Sequence, residues 1–398
     1  MECHRNQTTN TVGFSLLPTV LIQYIILNLA LPDIVRLKST NKFIASIIFD
    51  QDFVREYNVK SSSTTWLFIY TKRWRRKSML HGFVDGSNRW YEIPILELLI
   101  PMVSPWEDLY FLTASGNYFL FASNTSQEVI YVNPMAKIVR KIPPSPLGPR
   151  GTSLWRRSGM KLLPGPPRSG HFRFLFAEYN ENRPVLFEYN SEIDKWRSIE
   201  AKENVWNLPC VNERGGDYIF LSVINGRSGS VLIALGSKGD DVPVVIRPRF
   251  HRGGEEQQLA VGFSWGNVSD QLHVYGDGNM MILRSDDVDD VSKRRRMLES
   301  VELWGLSSNG MSWEFISMVP SGLIEKIKKP YGVIIGCIEE RQGTVRAVLM
   351  SNFEGIWDII WLCYDIKRQH WTWVPLPDCN MKGLNMAGIA FSSGLTLS

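Results

Sequence analysis

Residues 109–144, LYFLTASGNYFLFASNTSQEVIYVNPMAKIVRKIPP, decide how the larger part of this chain is read. Aromatic and aliphatic residues fill 110–113, the polar turn Ser115-Gly116-Asn117 follows, and 118–122 form a second strand-like run. Another polar turn leads into 129–132, and Asn133-Pro134 turns the chain into 138–142 before Pro143-Pro144 ends it. Four short strands joined by short turns predict one antiparallel meander.

The ending of this meander, Val139-Arg140-Lys141-Ile142-Pro143, is echoed along the chain. Trp90-Tyr91-Glu92-Ile93-Pro94 closes an earlier unit, and Trp196-Arg197-Ser198-Ile199, Val244-Val245-Ile246, Trp313-Glu314-Phe315-Ile316 and Trp371-Thr372-Trp373-Val374-Pro375 close later ones. Six units are predicted, with a weak fourth and an insertion between Trp196 and Trp313. Three endings share a strand, a polar turn and a Trp strand: Phe187-Glu188-Tyr189-Asn190 to Trp196, Leu303 to Trp313, and Leu362-Cys363-Tyr364-Asp365 to Trp371. The chain holds 14 Trp, and the recurrent ones are expected as wedges between neighbouring units. A last strand over 386–391 is expected to pair with 66–70 and close the array, which removes exposed strand edges.

At 398 residues the chain is long enough for two domains. A formal net charge of +4 implies no general affinity for nucleic acid or membranes, so neither is expected as a partner. The five cysteines, Cys3, Cys210, Cys337, Cys363 and Cys379, lack CxxC or metal-ligand spacing. Scattered free thiols suit a reducing compartment, and the cytoplasm or nucleus is expected.

The N-terminal part has a different texture. Residues 15–31 have the outline of a targeting segment, but Pro18 interrupts the run and Gln23, Tyr24 and Asn28 lie within it. It also falls short of the ~20 apolar residues that span a bilayer. Read as helices, Pro18 suits a first turn, and Val20, Leu21, Ile25 and Leu29 recur at helical spacing. Pro32-Asp33 starts a second helix with Leu31, Ile34, Val35 and Leu37, and Phe43, Ile44, Ile47 and Ile48 form a third. So small a domain cannot bury all this apolar surface alone, and the remainder is expected to be a binding face.

Residues 17–53, LPTVLIQYIILNLALPDIVRLKSTNKFIASIIFDQDF, resemble an F-box, the module that docks onto the Skp-type adaptor of cullin-RING ubiquitin ligases. The resemblance rests on Leu17-Pro18, Ile25-Ile26, Leu29, Arg36-Leu37, Lys42, Phe43, Ile47 and Phe53. Ala30, Thr40, Asn41 and Phe43 stand where the family usually has Pro, Val, Cys and Trp. The resemblance implies Leu17, Pro18, Ile25, Leu29, Leu37 and Phe43 as adaptor-binding residues. Thr40 and Asn41 imply a weaker hold, since they lose apolar contact at ~25 cal/mol per Å² and add polar groups that need partners if buried. The meander units, at intervals of roughly fifty residues, resemble the kelch blades of plant-type F-box proteins. Paired glycines of the kelch kind occur only as Gly215-Gly216 and Gly253-Gly254.

The fold expected is mainly β: a six-bladed kelch-type β-propeller over 66–395, behind a flexible N-terminus (1–14), a small all-α F-box (15–57) and a linker (58–65) that includes Ser61-Ser62-Ser63. The resemblance implies the substrate-recognition subunit of an SCF-type ligase, with an adaptor, through it a cullin, and a target protein on the propeller. It implies a non-catalytic receptor without cofactor or metal. A binding scaffold outside ubiquitin transfer is the alternative, and a propeller enzyme or lectin a third. Gly262-Phe263-Ser264-Trp265-Gly266 fits a nucleophile elbow, but that chemistry needs a helix where 272–275 reads as strand. The six histidines are scattered, and an approach of His171 to Asp217 in space stays open. Some kelch propellers are copper oxidases, but this chain offers no assignable Tyr, His and Cys set. Two charged runs are read as solvated loops: 72–77, with an acidic-partner patch as the sharper reading, and 286–296, as a flexible insertion or a nuclear-localisation signal.

Overall fold

The computed structural model describes residues 16–72, 78–104, 107–151, 155, 159–166, 169–203, 218–224, 230–236, 242–252, 255–258, 274–277, 281–284, 287–290, 295–298, 300–327, 333–377 and 385–397. The chain divides into a helical unit, Met1–Thr64 with Ser393–Ser398, and a strand unit, Thr65–Ser392.

The helical unit contains α1 (Thr19–Leu27), α2 (Leu31–Lys38), α3 (Lys42–Phe49) and α4 (Gln51–Ser62). Asn41 caps α3, its Oδ1 accepting from the Phe43 N–H at 2.8 Å. Asp50 caps α4 by accepting from Asp52 and Phe53 at 3.0 and 3.1 Å. Ile22 and Ile26, Leu31 and Ile34, Ile44, Ile47 and Ile48, and Phe53 and Tyr57 fill the interior. Residues 58–62 of the expected linker 58–65 belong to α4. Ser61 continues the buried series of Phe53 and Tyr57 at four-residue steps, and the hydroxyls of Ser62 and Ser63 bond back to the carbonyls of Val59 and Lys60. Burial of that face overrides the poor helix propensity that made the serine run look like a link.

The strand unit is a six-bladed β-propeller. Blade one holds β1 (Thr65–Lys72), β2 (Met79–Val84) and β3 (Tyr91–Ile93), and α5 (Ile95–Leu99) follows. Blade two is β4 (Leu109–Ser115), β5 (Tyr118–Ser123), β6 (Val129–Asn133) and β7 (Ile138–Ile142), the meander read from the sequence. Blade three is β8 (Gly159–Pro164), β9 (Phe172–Asn180), β10 (Arg183–Asn190) and β11 (Lys195–Glu200). Blade four takes β12 (Lys202–Glu203), β13 (Tyr218–Ile224), β14 (Ser230–Gly236) and β15 (Val244–Ile246) in the order β12-β15-β14-β13. Val244–Ile246 is therefore its third strand, not its closing one, because β12 pairs parallel to it at the outer edge.

A hairpin, β16 (Arg249–Arg252) and β17 (Glu255–Gln258), precedes blade five, which holds β18 (Val274–Asp277) and β19 (Met281–Arg284). A second hairpin, β20 (Asp287–Asp290) with β21 (Arg295–Leu298), intervenes before β22 (Glu302–Leu306) and β23 (Trp313–Met318) complete the blade. Within the second charged run, residues 287–290 pair with 295–298, Asp289 standing opposite Arg296, while 286 and 291–294 lie outside the described residues. After α6 (Ser321–Ile327), blade six is β24 (Val333–Arg341), β25 (Thr344–Phe353), β26 (Ile356–Asp365) and β27 (His370–Val374). The last strand, β28 (Asn385–Ser393), lies beside β1 and completes blade one, as its sequence predicts.

Side-chain alternation builds the ring. On β9, Phe174 and Phe176 join Leu120 and Tyr131 of blade two, whereas Leu175 and Ala177 join Leu221 and Ile233 of blade four. On β25, Val345 and Ala347 pack with Leu303 of blade five, and Val348 and Met350 with Leu67 and Phe83 of blade one. Leu232, Ile282 and Trp304 join blades four and five, and Phe68–Phe119 and Tyr70–Phe121 ring pairs at 5.0 and 5.3 Å join blades one and two. Central strands buried on both faces read as unbroken apolar runs for this reason.

The repeat also has a local physical basis. In blades two, three and six the third strand ends in Asn133, Asn190 or Asp365, whose side-chain oxygen accepts backbone N–H bonds at 2.8–3.1 Å. Four residues on, Lys137, Asp194 and Gln369 take positive φ of 53°, 52° and 50°, and the outer strand begins.

Three tryptophans then clasp neighbouring blades. Trp196 donates to the Pro143 carbonyl at 2.8 Å, Trp371 to Ser317 Oγ at 3.0 Å and Trp90 to the Pro377 carbonyl at 2.9 Å. Each reaches from the outer edge of one blade to that of the blade before it. Trp196→Phe keeps most of the ring contact with Phe174 and Phe176 but loses the N–H. A loss of ~1 kcal/mol is expected for Trp196→Phe and ~3 kcal/mol for Trp196→Ala, measured by urea unfolding. A Trp196→Phe chain as stable as the original would show that the hydrogen bond contributes nothing.

At the inner edge of the ring, strands of neighbouring blades meet at three places. A Cβ on Gly159 of β8 would fall 2.5 Å from the Ser222 backbone nitrogen of β13, and Gly276 of β18 pairs with Ile338 of β24. Gly388 of β28, at φ +131°, faces Phe111 of β4, where a Cβ would lie 2.7 Å from the Phe111 Cβ. Glycine at 159 and 388 lets these inner strands approach their neighbours backbone to backbone.

Candidate functional site

The helical unit carries the candidate site, because it leaves apolar side chains in solvent. Helix α1 is apolar on two faces. Ile22 and Ile26 point into the interior, and Val20, Leu21, Tyr24 and Ile25 point out, with Val20 76 % and Tyr24 67 % exposed. The helix starts without a side-chain cap, the Pro18 carbonyl accepting from Leu21 and Ile22 at 2.9 and 3.1 Å. At its end Asn28 bridges, donating to the Tyr24 carbonyl at 2.7 Å and accepting from Lys60 Nζ at 2.6 Å. Val35 of α2 and Phe43 and Phe49 of α3 are exposed as well, and the Lys38 ammonium sits 3.8 Å over the Phe49 ring.

Of the six residues singled out by sequence, Pro18, Ile25 and Phe43 are exposed, while Leu17, Leu29 and Leu37 are half-buried. None of the six is fully buried. Val20, Leu21, Tyr24, Val35 and Phe49 are further exposed apolar residues that the sequence reading did not assign to the site. The available signal was the composition of α1, TVLIQYIIL, which offers more apolar residues than one buried stripe needs. Spacing alone could not say which of two overlapping stripes faces inward.

Thr40 and Asn41 are exposed ends rather than buried polar intrusions. The Thr40 hydroxyl donates to the Leu37 carbonyl at 2.7 Å and Asn41 caps α3, so both are satisfied within the unit.

On the propeller, Met311, Phe315 and Met318 are exposed along the outer edge of blade five. Buried Glu188 lies between Arg197 Nε at 2.7 Å and Arg173 Nη1 at 3.3 Å. Burial pushes the Cys363 thiol up to about 11 and Tyr70 up to about 12, and pushes His81 below its ordinary value. These are the shifts that dry surroundings impose on structural groups. Among the described residues no group of three or more His, Cys, Asp or Glu is placed to hold a metal ion, and no helix is long and apolar enough to cross a membrane. Ser264 with its flanking glycines, Asp217, residues 73–77, and the pairs Gly215-Gly216 and Gly253-Gly254 lie outside the described residues.

No family model matches this chain, and no curated protein matches it. Solved structures similar to it include a nidogen/laminin complex, 8 % identical with a TM-score of 0.39 over 83 % of this chain and 98 % of that one. TolB from Acinetobacter baumannii is 7 % identical with a TM-score of 0.37, over 87 % and 71 %. The β-propeller domain of the Trilobed protease from Pyrococcus furiosus is 10 % identical with a TM-score of 0.30, over 80 % and 93 %. Nothing about activity or partners transfers at these values, and the ring described above stands on this chain's own strand pairing and interfaces.

Proposed function

We propose that this protein is a target-recognition receptor whose helical unit docks onto a Skp-type adaptor, and through it a cullin ligase, while the propeller binds the target protein. The carrying observation is the outer face of α1. A helix whose core face is already filled by Ile22 and Ile26 keeps Val20, Leu21, Tyr24 and Ile25 in solvent, an arrangement that costs solubility unless a partner covers it. The exposed positions include three of the six that the F-box resemblance implies, and Thr40 and Asn41, satisfied as helix ends, do not oppose docking. The propeller is consistent with protein binding, since a rigid ring presents its connecting loops as a variable surface. The receptor then works by proximity, raising the effective concentration of target at the ligase.

The test is capture of the full chain by purified Skp-type adaptor and cullin. Capture is expected for the unaltered chain and is expected to be lost on Leu17→Ala with Pro18→Ala, with the propeller still folded by intrinsic fluorescence. Failure of the unaltered chain to be captured would make the binding scaffold outside ubiquitin transfer the leading reading.

A further inference from the structure

The helical unit includes a segment from the far end of the sequence. Residues 394–397 follow β28 and are held by α4. Asn58 addresses both backbone groups of one residue, its Nδ2 donating to the Leu397 carbonyl at 2.9 Å and its Oδ1 accepting from the Leu397 N–H at 2.7 Å. One turn further along α4, Ser61 Oγ donates to the Leu395 carbonyl. Leu395 and Leu397 are buried, and a Cβ on Gly394 would overlap the Ser61 carbonyl. An amide side chain that pairs with a main chain in this way does what a neighbouring strand does, and two leucines two residues apart supply the apolar anchors.

We infer that this part of α4 is a peptide-binding cleft for an extended Gly-Leu-x-Leu segment, occupied in cis by residues 394–397. Three features select that occupant. Glycine is required where the chain passes the Ser61 carbonyl, apolar side chains are required at the two anchor positions, and a free backbone N–H and C=O are required opposite Asn58. The segment is therefore a fifth element of the helical unit, and the first 64 residues are incomplete without it. The inference is independent of adaptor binding, and its test does not use the adaptor.

In a chain stopped after Ser393, a fluorescently labelled acetyl-GLTLS peptide is expected to bind saturably. The full chain is expected to bind it roughly tenfold more weakly or not at all, because its own segment competes at high effective concentration. Asn58→Ala in the shortened chain is expected to abolish binding. Absence of binding up to about 1 mM peptide, or equal binding to both chains, overturns the cleft. Should the shortened chain misfold, the full-length Asn58→Asp variant gives the answer, since it keeps an acceptor but loses the donor to Leu397. Amide hydrogen exchange over residues 51–62 is expected to quicken about fivefold, and unchanged exchange overturns the inference.

Discussion

Gly388→Ala is expected to lower the stability of the propeller by roughly 3–5 kcal/mol, as the sum of a backbone forced into a glycine-only region and a clash with another backbone. At φ +131° an L-residue is strained whatever space surrounds it, and here a Cβ would meet the Phe111 main chain and Cβ. Neither partner can yield cheaply. Gly388 lies on β28, the strand that completes blade one, and Phe111 lies on β4, the first strand of blade two. Relief by moving β28 outward would strip β1 of its hub-side neighbour and open the ring where the two ends of the propeller sequence meet. Gly322→Ala is the control, because nothing lies within 4 Å of a Cβ at that position in α6. It is expected to gain ~0.5–1 kcal/mol through helix propensity. Urea unfolding followed by tryptophan emission measures both, and a Gly388→Ala midpoint equal to that of the unaltered chain would show that the hub strands do not approach as described.

That contact was invisible in the sequence, and the reason is general. The strands of blade two were legible because alternation, turn residues and length all act within thirty-six residues. The endings at Trp196 and Trp371 were legible because both follow an Asx turn of the same length, from Asn190 and from Asp365. Gly388 and Gly159 instead answer to strands more than sixty residues away or across the ring closure, and a lone glycine in a strand pattern reads only as a weak point. Blade four misled for a related reason. Its outer strand, Lys202–Glu203, is two polar residues supplied from before the blade, and so short a strand has no periodicity to detect.

The helical unit was legible in its elements and less so in its faces. Pro18 and Pro32-Asp33 mark real helix starts, whereas the fourth helix, which Asp50 caps, was not read from the sequence; and α1 satisfies helical spacing with either Ile22 and Ile26 or Leu21 and Ile25 inward. Which stripe is buried depends on what α4 offers to α1, a tertiary fact. The packing of α4 in turn involves residues 394–397, a segment that no local reading of residues 17–53 would include.

The two stripes of α1 yield the sharpest test of the proposed docking face. Tyr24→Glu with Ile25→Glu is expected to weaken adaptor capture by about 100-fold or more, since covering one Ile-sized side chain contributes ~1.5–3 kcal/mol and a carboxylate there opposes desolvation. The same double variant is expected to leave the unfolding midpoint of the helical unit within ~0.5 kcal/mol of the original, because both side chains already face solvent. Ile22→Glu and Ile26→Glu are expected to do the reverse. Each places an unpaired charge in the interior, so the helical unit unfolds and capture disappears with it. The contrast separates a binding face from a structural one: loss of capture with an intact unit assigns the outer stripe to a partner. A Tyr24→Glu/Ile25→Glu chain that is captured as well as the original would move the docking surface off α1 altogether. The exposed Val35, Phe43 and Phe49 would then be the place to repeat the substitution, on the outer surfaces of α2 and α3.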